Sequence, residues 1–160
     1  MTPFALMCAA YLILRLPRFR RWPGGEEPWE AAAGALGVGL VAAGAMHFVR
    51  PALFLAMVPR GLPHPELIVF LSGIVEVGIG ILLLTPAWRQ IGGWLAALLF
   101  LAIWPGSIYV ALSGNYPSTP TDSPLYHWLR VPFHLLYVGW ALWVARGRLP
   151  WARTASEVHA

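Results

Sequence analysis

Between Leu67 and Leu84 the chain runs for 18 residues with one charged side chain, Glu76, in its middle. A helix of that length, rising about 1.5 Å per residue, comes close to the ~30 Å hydrocarbon thickness of a bilayer. Backbone in hydrocarbon must satisfy its own hydrogen bonds, so the run predicts an α-helix. A carboxylate at that depth costs about 2.5–3.5 kcal/mol on insertion scales, which turns it toward a bundle interior and toward partners.

Three more apolar segments take up most of the chain: Ala31–Val49, Ile91–Leu112, and one from near Leu125 to Ala145. The residues are 58% hydrophobic and 11% charged, against roughly 25% charged in soluble domains. The runs are continuous, whereas the strands of a membrane β-barrel alternate. These features predict an all-α fold, a small integral membrane bundle of four main transmembrane helices over residues 26–146. A short apolar segment with a basic linker precedes it (1–25), and a basic tail follows (147–160). The first segment, Phe4–Leu14, is apolar for only 11 residues and is followed by Arg15, Arg18, Arg20 and Arg21. A secretory signal has its charges before the apolar core and a small-residue cleavage site after it. The segment is therefore expected to be retained, either spanning or interfacial. Pro23-Gly24-Gly25 ends it, and Glu26, Glu27 and Glu30 suit the positive N-terminal end of the next helix.

The chain has no lysine, so its arginines set the orientation. With Arg15–Arg21 in the cytoplasm, eight arginines fall inside and three (Arg50, Arg60, Arg130) outside, as the positive-inside rule requires. The expected location is a bacterial inner (plasma) membrane, with the C-terminus cytoplasmic. The net charge of +4 then reports topology. There is no basic face interleaved with aromatics, which excludes nucleic acid as a partner.

In this topology the polar side chains converge. His47 ends the first long span at the outer face, and Ser72 lies one turn above Glu76 in the outer half of the second. The third span ends outside with Trp104, Ser107 and Tyr109, and the fourth begins there with Arg130 and His134, one turn apart on one face. Tyr137 follows a turn deeper. The convergence points to one polar pocket open to the outer face. Glu76, His134, His47 and Arg130 are its candidate catalytic groups, and Ser72, Trp104, Ser107, Tyr109 and Tyr137 its candidate ligand contacts.

The stretch Gly44-Ala45-Met46-His47-Phe48-Val49-Arg50-Pro51, with Phe54, Met57-Val58-Pro59 and Leu62-Pro63, resembles the opening of DoxX-like membrane proteins. The likeness continues through Ser72-Gly73 with Glu76, Leu82-Leu83-Leu84-Thr85-Pro86 with Arg89, Trp104-Pro105 with Ile108-Tyr109, and Arg130-Val131-Pro132. It covers about residues 31–145. The resemblance implies a compact four-helix membrane protein, in several members linked to quinone-dependent oxidation of sulfur compounds or to redox stress. A quinone is thus the cofactor that it suggests. Two positions depart from the family pattern. Pro105-Gly106-Ser107 stands where Pro-Ala-Asn is usual, and His134 where a glutamine is usual, so an amide is replaced by a group that titrates near neutrality and can bind metal.

Cys8 is the only cysteine, which excludes an intramolecular dithiol relay or a cysteine-held cluster. No strand precedes a glycine-rich phosphate loop. His47, Glu76 and His134 are the ligand types of a two-histidine, one-carboxylate metal centre, though no metal is expected from spacing alone. Two classes of function remain. In one, a lipophilic small molecule enters the pocket for quinone-linked redox or acid–base chemistry, with a redox partner protein or a homo-oligomer around it. In the other, the protein is a non-catalytic assembly or anchoring subunit whose polar residues hold helices together. On that second reading Glu76 fixes packing, His47 ends a helix, Arg130 snorkels to the surface and the tryptophans form interfacial belts. Gly34, Gly37, Gly44, Gly73 and Gly80 are expected to allow close helix contact.

Overall fold

A computed structural model describes residues 2–16, 27–114 and 123–147. The arginines at 18, 20, 21, 148 and 153, the Pro23–Gly25 break, Glu26 and most of the tail lie outside these residues. The described residues form helices joined by short connections and contain no strand: α1 (Thr2–Leu14), α2 (Pro28–Val49), α3 (Pro51–Leu55), α4 (Pro65–Leu84), a 3-10 turn (Pro86–Trp88), α5 (Arg89–Ser113) and α6 (Pro124–Arg146). Three segments, Pro28–Val49, Pro65–Leu84 and Pro86–Ser113, are long and apolar enough to cross a membrane.

Proline stands at the start of α2, α3, α4 and α6, where its missing N–H costs no helical hydrogen bond and its fixed φ suits the first turn. Reciprocal bonds between Glu27 and Glu30 cap α2, and the Ser123 hydroxyl accepts from the Tyr126 N–H to cap α6. The connection between α2 and α4 is a loop only in part. Pro51 starts a five-residue helix, α3, directly after α2. At the N-terminus α1 is a 13-residue helix packed against α2, with Met7 buried in the core.

The long helices pack as two close pairs, α2 with α4 and α5 with α6; α4 meets α5 and α2 meets α6 less extensively. Glycines set the first pair. Gly37 and Gly44 of α2, two turns apart, face Gly80 and Gly73 of the antiparallel α4. A Cβ on Gly37 would lie 2.9 Å from the Gly80 carbonyl oxygen, and one on Gly44 would lie 2.8 Å from that of Gly73. Backbone therefore meets backbone with no side chain between them. In the second pair a Cβ on Gly93 would lie 2.6 Å from the backbone nitrogen of Ala145. Gly34 instead makes room for Leu14 of α1.

Larger side chains fill the centre between the pairs: Leu36 and Leu40, Ile79 and Leu83, Phe100, and Val144, with small alanines around them. All come from the half of the bundle that holds the α2 N-terminus and the α4 C-terminus. The opposite half holds the buried polar side chains other than Arg89. Most of the large residues on the outward faces of the long helices are apolar, including Phe70, Leu71, Ile74, Ile81, Trp94, Leu98, Leu101, Leu135, Leu136 and Trp143. A surface of that kind is stable against lipid and unfavourable against water.

Candidate functional site

Five polar side chains, His47, Glu76, Ser107, His127 and His134, are buried in the half of the bundle opposite the apolar core. Four of them form two direct contacts, His47 with Glu76 and Ser107 with His134, one in each helix pair.

The first contact belongs to α2 and α4, and glycine makes it possible. A Cβ on Gly73 would lie 2.8 Å from the His47 Cβ, and one on Gly44 would lie 3.0 Å from the Glu76 Cβ. With hydrogen at both positions, His47 settles onto α4 beside Glu76. Its Nδ1 lies 3.0 Å from the Ala43 carbonyl oxygen one turn back. A carbonyl can only accept, so Nδ1 carries the hydrogen and the neutral ring has its lone pair at Nε2. The same Nδ1 lies 3.7 Å from Glu76 Oε2, too far for a hydrogen bond but close for an ionic contact. Glu76 is 6% exposed, and its Oε2 has no hydrogen-bond partner among the described residues. Phe54 of α3 stacks on the His47 ring at 3.5 Å and 24°.

The second contact belongs to α5 and α6. His134 Nδ1 donates to the Arg130 carbonyl, 3.1 Å away on its own helix. The ring's Nε2 therefore accepts from the Ser107 hydroxyl across the pair, at 3.3 Å. Trp104 Nε1 donates to the Val131 carbonyl at 3.0 Å. Tyr137 presents its ring to His134 edge-on at 5.9 Å and packs on Phe100 at 5.3 Å.

The remaining expected residues sit apart. Arg130 forms no ion pair with Glu76. Its guanidinium donates to Met57 Sδ at 3.4 Å, which ties α6 to the segment after α3. The Tyr109 hydroxyl accepts from the Arg60 N–H at 3.3 Å and holds the same segment. Ser72 donates to the Val69 carbonyl of its own helix at 2.9 Å. No three His, Cys, Asp or Glu residues among those described come together as metal ligands, so a His47–Glu76–His134 centre is not assembled.

An open groove of about 400 Å³ lies at the corner of α2, α3 and α4, lined by His47, Phe48, Pro51, Leu55, Glu66, Val69 and Phe70. Of the four candidate catalytic residues, His47 alone walls it.

Several residues here escaped the sequence reading. Phe54 stacks on His47 only because α3 follows α2 so closely. His127 is 2% exposed and meets Tyr126 edge-on at 5.2 Å. Its signal was present, seven residues before His134 and three before Arg130, on one helical face. Arg89 reads in sequence as an interfacial charge. It is instead 3% exposed, donates from Nε to the Leu83 carbonyl at 3.3 Å, and lies 3.8 Å from Glu30. It thereby ties the end of α4 to the start of α2.

The described residues are thus helices and their connections, with three candidate membrane spans and a group of buried polar side chains in one half. The family model for a domain of unknown function, DUF8561, matches residues 36–145, and the chain belongs to that family. No curated protein and no solved structure matches it.

Proposed function

We propose that this is a DoxX-like integral membrane protein with α2, α4, α5 and α6 all in the bilayer, its C-terminus cytoplasmic and its polar half opening to the outer face of a bacterial plasma membrane. Apolar outward residues on α6, Leu135, Leu136 and Trp143, support a fourth lipid-facing helix. The polar half receives a lipophilic small molecule for acid–base or quinone-linked redox chemistry. Glu76 takes or gives the proton, His47 beside it exchanges that proton, and His134 with Ser107 and Arg130 serves the other side of the site.

One observation carries this reading. Glu76 is buried at membrane depth, yet Oε2 has no hydrogen-bond partner among the described residues. Buried polar atoms that serve only packing are nearly always satisfied. A carboxylate oxygen left open is the state expected of a group that meets a ligand or a proton.

The test is mass spectrometry of lipophilic molecules extracted from purified parent protein and from Glu76→Gln. The parent should retain a specific compound, and Glu76→Gln should lose it with thermal stability unchanged. Equal retention by both proteins refutes a role for the carboxylate. The Ser107–His134 and Trp104–Val131 bonds favour a second reading, since each joins α5 to α6. If Glu76→Gln and His134→Gln both behave as parent, the protein is an assembly or anchoring subunit.

A further inference from the structure

We propose that the groove at the corner of α2, α3 and α4 binds an amphiphile with a primary ammonium head. Its N–H groups donate to His47 Nε2 and to the Glu66 carboxylate, and its alkyl chain lies against Leu55, Val69 and Phe70. This site does not depend on any chemistry at Glu76.

The chemistry of the wall selects the ligand. Five of the seven lining residues are apolar, and the two polar ones are His47 and Glu66. In the neutral ring the contact with Ala43 commits the His47 hydrogen to Nδ1, which leaves Nε2 as an acceptor. Nε2 has no hydrogen-bond partner among the described residues. Glu66 is exposed in the first turn of α4, and an ionised carboxylate only accepts. Pro51 adds no N–H, and neither lysine nor arginine lines the groove. Both polar walls thus call for donors, and one is anionic.

That pattern rejects phosphate, sulfate and carboxylate heads, which bring charge of the wrong sign and only acceptors. It also disfavours heads without N–H or O–H groups. An ammonium carries N–H donors for both walls and the charge that complements Glu66. Phe48 and Phe70, edge to face at 5.4 Å and 81°, add aromatic surface that a cation favours. The volume, about 400 Å³, falls within the range of small-molecule sites. Phe70 is half-exposed on the outward face of α4, which leaves an alkyl chain a way out to lipid.

The experiment uses the full chain with ¹⁵N-labelled histidine in phosphatidylcholine nanodiscs at pH 8, titrated with dodecylamine, dodecyltrimethylammonium and dodecyl sulfate. Dodecylamine should shift the His47 ring nitrogens saturably. Dodecyltrimethylammonium, with the charge but no N–H, should bind at least about tenfold more weakly, and dodecyl sulfate should give no saturable shift. Glu66→Gln, at an exposed position, should melt as the parent does and lose about tenfold in dodecylamine affinity, while Glu76→Gln should still bind it. A linear, unsaturable response refutes the site, because it reports partition into lipid alone. Equal binding of dodecylamine and dodecyltrimethylammonium, or parental affinity in Glu66→Gln, refutes the assigned contacts.

Discussion

His47 and His134 are wired alike. Each gives its Nδ1 hydrogen to the carbonyl four residues back on its own helix, so each has Nε2 for other work. For His134 that work is accepting from Ser107, and this separates two substitutions. His134→Gln keeps an acceptor for the serine and should leave stability within about 0.5 kcal/mol of parent, the span of a substitution that breaks no key contact. It removes the titratable ring, and ligand retention should fall. Ser107→Ala removes the bond itself and should destabilise by about 1 kcal/mol. Arg89→Ala should have the largest effect, because it removes a buried side chain that bonds the Leu83 carbonyl and lies 3.8 Å from the partly exposed Glu30. Detergent unfolding of the three variants should give that order, and Arg89→Ala at parental stability would contradict the buried tie. Glu76 and His47 were legible in sequence because a charge inside an apolar run, or at its end, has few explanations. Arg89 was not, since a buried arginine and an interfacial one share the same flanking sequence. Cost alone would also favour an Arg130–Glu76 pair, but the Arg130 guanidinium donates to Met57.

At the level of elements, the long helices fall within a few residues of their expected bounds. Hydropathy and proline starts are local signals, and they survive folding. The five-residue α3 was invisible, because it depends on Pro51 restarting the chain against α2 and not on any periodicity. The expected role of the glycines can be separated residue by residue. A methyl at Gly44 or Gly80 would press on backbone of the facing helix, whereas one at Gly78 meets nothing within 4 Å. Gly44→Ala and Gly80→Ala should each destabilise by about 1–3 kcal/mol through overpacking. Gly78→Ala should be neutral or stabilise by up to about 1 kcal/mol through helix propensity. If all three variants unfold alike, the α2–α4 contact is looser than the structure has it. Gly44→Ala should also disturb the ring resonances of His47, since the same close approach sets His47 beside Glu76.

At the scale of the whole molecule, the arginine distribution of eight to three predicts that a reporter fused after Ala160 is active in the cytoplasm. Activity only on the far side of the membrane would move the polar half inward. Composition made the all-helical class and the candidate spans legible. It could not show that the polar residues divide into a His47–Glu76 contact and a Ser107–His134 contact, because that division follows from which helices pair. The pairing also sets an order of events. Chains are made from the N-terminus, and their early parts can fold before the later parts exist. The α2–α4 hairpin joins through glycines that need nothing from α5 or α6, so during synthesis His47 can already shelter Glu76 on one flank. Ser107 and His134 arrive last, with α5 and α6. Until then the carboxylate faces whatever lies beside the nascent hairpin, and the moment of α5–α6 arrival decides what is enclosed with it.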